Sequence, residues 1–257
     1  MIAIPSVVII VLLLLKTFFP YKSKGDNVYR RGQTTVADDK KYSRYEVLSI
    51  FPLFLFIGLI NLMVYWIGCS VQKLISSNID YDFYIGPPEP MWALIGLLFG
   101  FGLVMLPMEW FYKLLLRGEY ELYIDYTNSK HGWNGMKIMR PISIVLTSIG
   151  LVFFYLGLNY SFAVDKNYII VDNFFSLHAV EYKVDEISSI TYYDKQIAPN
   201  GEVVDKRHIK ILFDDATFWS SDDLVRIDEN ETVNECIQYL LDKADLKLAY
   251  EEIDENQ

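Results

Sequence analysis

A chain of 257 residues that is 52% hydrophobic, with a mean hydropathy of +0.19, is more apolar than an ordinary soluble domain, and the excess has to be spent on lipid. The formal net charge is −10, and the acid is concentrated late: from Ser161 onward 22 Asp and Glu face nine Lys and Arg, whereas the first part is mildly basic. An acidic soluble part lacks the basic footprint that phosphate binding needs, which excludes nucleic acid as its partner. The two cysteines, Cys69 and Cys236, form neither a CxxC pair nor a zinc spacing. They read as unpaired thiols in apolar surroundings, with a disulfide left open only if both face an oxidising compartment.

In chain order, Met1 to Phe19 is a nearly unbroken apolar run close to the roughly 20 residues a span requires. It carries no basic leading segment and no small-residue cleavage site, so it is predicted to be a retained helix. Val47 to Cys69 is the second predicted span, with Asn61 as its one strongly polar interior residue. Met91 to Tyr112 is the third and Pro141 to Tyr160 the fourth, with Trp66, Trp92, Trp110 and Tyr155 near span ends, where interfacial aromatic belts lie.

Basic short loops stay in the cytoplasm. Seven Lys and Arg lie between the first and second spans, one (Lys73) between the second and third, and five between the third and fourth. This alternation predicts an extracytoplasmic N-terminus and an extracytoplasmic C-terminal domain. The first loop is polar and predicted irregular, and Gly86-Pro87-Pro88-Glu89-Pro90 is a stiff extended lead into the third span. In the third loop, alternating Tyr120, Leu122, Ile124 and Tyr126, followed by Asn134-Gly135, predict a short strand or hairpin on the membrane surface.

From Ser161 the continuous hydrophobicity gives way to short apolar runs separated by turn residues. Strands are predicted at Ser161–Val164, Tyr168–Phe174, Ala179–Val184, Ile187–Ile197, Arg207–Phe213 and Thr217–Ser220. A helix opened by Asp228-Glu229-Asn230 follows, with Val233, Cys236, Ile237, Leu240, Leu241 and Ala244 on one apolar stripe that needs a sheet to cover. The predicted fold class is therefore membrane α-helical, with about four transmembrane helices, plus a C-terminal α+β domain in which an antiparallel sheet or partly open barrel is capped by one helix. The expected organisation is a transmembrane domain over 1–160, a soluble domain over 161–250 and a loose acidic tail over 251–257.

Two segments of this domain, Tyr182-Lys183-Val184-Asp185-Glu186-Ile187-Ser188-Ser189-Ile190 and Phe213-Asp214-Asp215-Ala216-Thr217-Phe218-Trp219, resemble a strand entry and a later hairpin of bacterial pleckstrin-homology-like domains. The resemblance covers roughly residues 161–247, and the hairpin carries Ala216 where the family usually has Gly. It implies a binding or assembly module without catalysis, on a multi-pass protein of the bacterial inner (cytoplasmic) membrane. Fold likeness alone does not give function.

His131, His178 and His208 share no metal-ligand spacing, and Asp214-Asp215 and Asp222-Asp223 sit where turns are expected, so no metal and no cofactor is predicted. No GxSxG, P-loop, GxGxxG or HExxH occurs, and the chain is read as no enzyme. Within the spans the candidate residues are Asn61, suited to an interhelical hydrogen bond, and Glu109, a membrane carboxylate near a helix end that can reach the interface. Gly96 and Gly100 form a GxxxG that permits close helix packing and allows a homo-oligomer. The expected partners are membrane lipid and a protein bound at the soluble domain. The concrete form of that reading is an immunity or accessory protein against a membrane-acting toxin; the alternative is a small channel or transporter with a regulatory soluble domain.

Overall fold

The structure, a computed structural model, describes residues 14, 16–21, 36–198, 200–221 and 231–254. The first predicted span, the Asp222-Asp223 pair, the predicted helix cap at 228–230 and residues 255–257 lie wholly or mostly outside the described residues. The described residues form two compact units, one within 1–64 and 93–151, the other within 65–92 and 152–257.

The helices are α1 (Val36–Leu48), α2 (Ile50–Asn78), α3 (Glu89–Leu103), α4 (Met105–Leu116), α5 (Tyr120–His131) and α6 (Gly135–Asn159), with a 3₁₀ turn at Arg117–Glu119. Ser49 does not interrupt the ladder between α1 and α2: its N–H donates to the Tyr45 carbonyl and its own carbonyl accepts from Leu53, both at 3.0 Å. Asp39–Asn78 and Gly135–Asn159 are long and apolar enough to cross a membrane. A third crossing is present if α3 and the helix that follows it, bent by 45°, count as one span. Two or three spans are thus carried by the described residues, against the four expected for the whole chain.

In the first unit the core is built largely of tyrosines. Tyr112 stacks on Tyr123 with centroids 5.1 Å apart, Tyr42 lies 5.1 Å from Tyr126, and the Tyr112 hydroxyl donates to the Tyr45 carbonyl at 3.0 Å. This arrangement explains why Glu119–Lys137 is helical and contains no hairpin. The alternation of Tyr120, Leu122, Ile124 and Tyr126 looks like a period of two, but the residues that are buried together are Tyr120, Tyr123 and Tyr126, spaced by three. Helix α5 stops at Gly132, left-handed at φ 74°, whose N–H closes on the Asn128 carbonyl at 2.8 Å. Asn134 then caps α6, its Oδ1 accepting the Lys137 N–H at 3.1 Å, so the Asn-Gly pair serves a helix start instead of a hairpin turn.

The second unit holds two four-stranded sheets. In the first, β1 (Phe83–Ile85), β2 (Ser161–Asp165), β3 (Tyr168–Asp172) and β4 (Val180–Lys183) pair antiparallel in that order. The second has the order β7 (Phe218–Ser220), β6 (Val203–Phe213), β5 (Ile187–Ile197), β8 (Ala249–Asp254), with β8 parallel to β5. Both sheets and helix α7 (Glu231–Ala244) share one core, in which Phe162 stacks on Trp219 at 4.0 Å and Tyr182 on Phe213 at 3.8 Å. The α7 stripe of Val233, Cys236, Ile237, Leu240 and Leu241 is buried in it, as the sequence spacing requires. Two corrections follow. The sheet region reaches back to Phe83, ahead of its predicted start at 161, and the segment expected to be a loose tail from 251 forms most of β8 as far as Asp254.

The hairpin between β6 and β7 shows what Ala216 costs. Ala216 stands at φ 65°, in the left-handed region that favours glycine, while its N–H donates to the Phe213 carbonyl at 3.0 Å. Asp215 holds the turn from inside, its Oδ1 accepting the Thr217 N–H at 2.9 Å and the Thr217 hydroxyl at 2.5 Å. Those bonds from Thr217 lower the Asp215 carboxyl below the usual carboxylate range.

Candidate functional site

The intramembrane candidates separate into a packing pair and a groove. Asn61 on α2 donates its Nδ2 to the Ala93 carbonyl of α3 at 3.1 Å. Directly beneath, a Cβ added at Gly96 would meet the Asn61 carbonyl at 2.8 Å, and one at Gly100 would meet the Ile57 carbonyl at 3.0 Å. Asn61, Gly96 and Gly100 therefore form one device: the glycines let two backbones approach, and the amide bond fixes their register.

Glu109 is elsewhere. Its carboxylate pairs with Lys113 at 2.7 Å, one helical turn along α4, and is partly exposed. It lines a groove of about 400 Å³ between α4 and α6, together with Leu103, Leu106, Arg140, Ser143 and Ile144. Sequence reading singled out Glu109 but passed over Arg140 and Ser143. Arg140 is one of the five basic residues between the third and fourth predicted spans, and a serine inside an apolar run carries no signal of its own.

In the second unit the most polar interior feature is a cluster at β6 and β8. His208 Nδ1 donates to the Lys206 carbonyl at 3.0 Å, since a carbonyl can only accept, and its Nε2 lies 3.2 Å from Asp254 Oδ2. Lys210 Nζ reaches the same carboxylate at 3.0 Å, and the Tyr193 ring stacks on His208 with centroids 5.1 Å apart. His208 and Asp254 are buried. The cluster's geometry serves to clamp β8 onto the sheet, and buried charge of this kind is tolerated only when paired. Cys236 is buried on the inner face of α7 with its thiol pushed up to about 12 by desolvation, which makes it inert as a nucleophile. Among the described residues no three His, Cys, Asp or Glu side chains gather to hold a metal ion.

The sheet region also presents apolar groups. Phe175 and Leu177, after β3, are 80% and 77% exposed, while neighbouring Phe174 packs on Phe153 and Tyr160. On β8, at the edge of the second sheet, Tyr250 is 74% exposed, with its ring 5.6 Å from Tyr192. Comparison of the chain with known protein families, with curated proteins and with solved structures finds no match.

Proposed function

We propose that this chain is a non-enzymatic membrane protein whose helices anchor an extracytoplasmic, protein-binding sheet domain of the pleckstrin-homology-like kind, in a bacterial inner membrane. The observation that carries this reading is the outer edge of β8. Among the described residues β8 is paired on one side only, to β5, and such an edge offers a row of backbone groups used to add a strand from a partner. Tyr250 gives this edge an aromatic anchor of the sort that dominates binding energy, and Glu251 beside it favours a partner segment with basic side chains, the neighbouring Glu252 being paired with Lys195 at 2.6 Å. The concrete form is an immunity or accessory protein that neutralises a membrane-acting toxin.

A photo-crosslinking amino acid placed at Tyr250 in the full chain in cells should give a discrete adduct, and the same group at the exposed Gln238 of α7 should give none. Equal adducts at both positions, or none at Tyr250, would remove the edge as the binding surface. The channel or transporter reading gains no specific support from Glu109, whose charge is taken by Lys113, or from Asn61, which is spent on Ala93. Glu109→Gln should accordingly leave the protein's phenotype intact. Loss of phenotype at normal membrane levels would favour transport.

A further inference from the structure

The groove between α4 and α6 has a layout that the partner-binding reading does not use. At one end α3 and α6 touch so closely that a Cβ on Gly102 would meet Thr147 Oγ1 at 2.5 Å. The 45° bend after Leu103 then sends α4 in a new direction, and the space opens beyond that contact. Leu103, Leu106 and Ile144 line its length, with Leu106 and Ile144 each 67% exposed on helices that are apolar enough for a membrane. Arg140 stands seven residues before Thr147 on α6, about 10 Å along the axis at ~1.5 Å per residue, and Glu109, in the first half of α4, lines the same groove. The groove is thus mostly apolar along its length, with Thr147 and Ser148 beside Gly102 and the charged Glu109 and Arg140 farther along.

These two charges are unequal in availability. Glu109 is neutralised by Lys113. Arg140 is exposed and forms no ion pair among the described residues. One turn inward, the Ser143 hydroxyl is buried with no hydrogen-bond partner among the described residues. A cation with a rigid fork of donors, a hydroxyl below it and an apolar slot leading away form a set complementary to a phosphate ester with an attached acyl chain. A volume of about 400 Å³ is in the range of small-molecule sites.

We propose that this groove is a specific site for one acyl chain of an anionic membrane phospholipid, with the phosphate on Arg140, the Ser143 hydroxyl donating to a phosphate or ester oxygen, and the chain lying along Leu106 and Ile144 toward Gly102. The proposal rests on the membrane-spanning reading of α6 and not on what the sheet domain binds.

The test is native mass spectrometry of the full chain released from detergent, titrated with phosphatidylglycerol or with phosphatidylcholine of the same chains. One phosphatidylglycerol should be retained per protein, with at least about fivefold higher occupancy than phosphatidylcholine. Arg140→Gln should abolish that preference, and Ile144→Trp, which fills the slot from an exposed position, should reduce occupancy by both lipids. Helicity measured by circular dichroism establishes that each variant is folded. Equal occupancy by the two lipids in the native chain, a preference that survives Arg140→Gln, or retention unchanged by Ile144→Trp would each overturn the assignment.

Discussion

The two units of this protein use apolar residues in opposite ways. In the sheet unit, the side chains of α7 and of the inward strand faces disappear into a shared core, where Ile190, Ile211, Leu240 and Phe162 are fully buried. In the helical unit the long apolar stretches stay largely uncovered: only 17% of the most apolar window of Asp39–Asn78 is buried within the molecule. What is buried there is a cluster of tyrosines with a few aliphatic residues, Ile57, Val104, Met108 and Leu116, beside glycines that let backbones touch and the half-buried Asn61 amide. The contrast follows from the solvent. Water drives aliphatic burial, whereas lipid is as apolar as leucine and leaves helix association to close packing and hydrogen bonds.

That contrast can be broken most forcefully in the sheet unit. Leu240→Asp places an unpaired carboxylate in the shared core and should cost more than about 4 kcal/mol, read as loss of protease resistance of the sheet region in the detergent-purified chain. An unchanged digestion pattern would mean that α7 does not cover the sheets. Asp254→Ala strands His208 and Lys210 without their carboxylate, and should cost about 3–5 kcal/mol in thermal unfolding. A melting point equal to that of the native chain would return residues 251–254 to the status of a loose tail.

In the helical unit the effects are smaller and depend on position. Gly96→Leu drives a side chain into the Asn61 backbone and should cost about 1–3 kcal/mol. Gly58 has nothing within 4 Å of an added Cβ, so Gly58→Ala on the same helix system should be neutral or stabilising by up to about 1 kcal/mol. Equal responses at the two glycines would show that α2 and α3 do not pack at Gly96. In the sheet unit, Ala216→Gly removes a left-handed alanine from the β6–β7 hairpin and should raise stability by about 0.5–1 kcal/mol, seen as a higher melting temperature. A drop would show that the turn is unstrained.

Much of this architecture was legible in the sequence wherever one signal dominated. Continuous apolar runs marked the membrane-length helices, a short apolar run between turn residues gave β5 with the bounds it has, and the stripe on α7 pointed to its buried face. Errors came where two signals competed. The tyrosines of α5 satisfy periods of two and of three, and only the tyrosines of α1 and α4 decide between them. β8 is acidic and solvent-facing along most of its length, so nothing local marks it as a strand; it is held by pairing to β5 and by Asp254 at its end. β1 is three residues long, and its identity comes from β2, nearly eighty residues away. For the candidate site, Asn61, Gly96 and Gly100 were readable because their chemistry is unusual inside a span. The grouping of Arg140 and Ser143 with Glu109 was not, because it depends on the bend between α3 and α4.

The central claim is that the sheet domain meets its partner outside the cytoplasm, and it rests on twelve Lys and Arg in the first and third predicted loops against one in the second. A reporter active only after export, fused after Gln257, measures this directly when compared with the same reporter fused after Arg31. Activity after Gln257 and silence after Arg31 is the result expected. Silence after Gln257 with activity after Arg31 would contradict the account and place the sheet domain, its β8 edge and its partner in the cytoplasm.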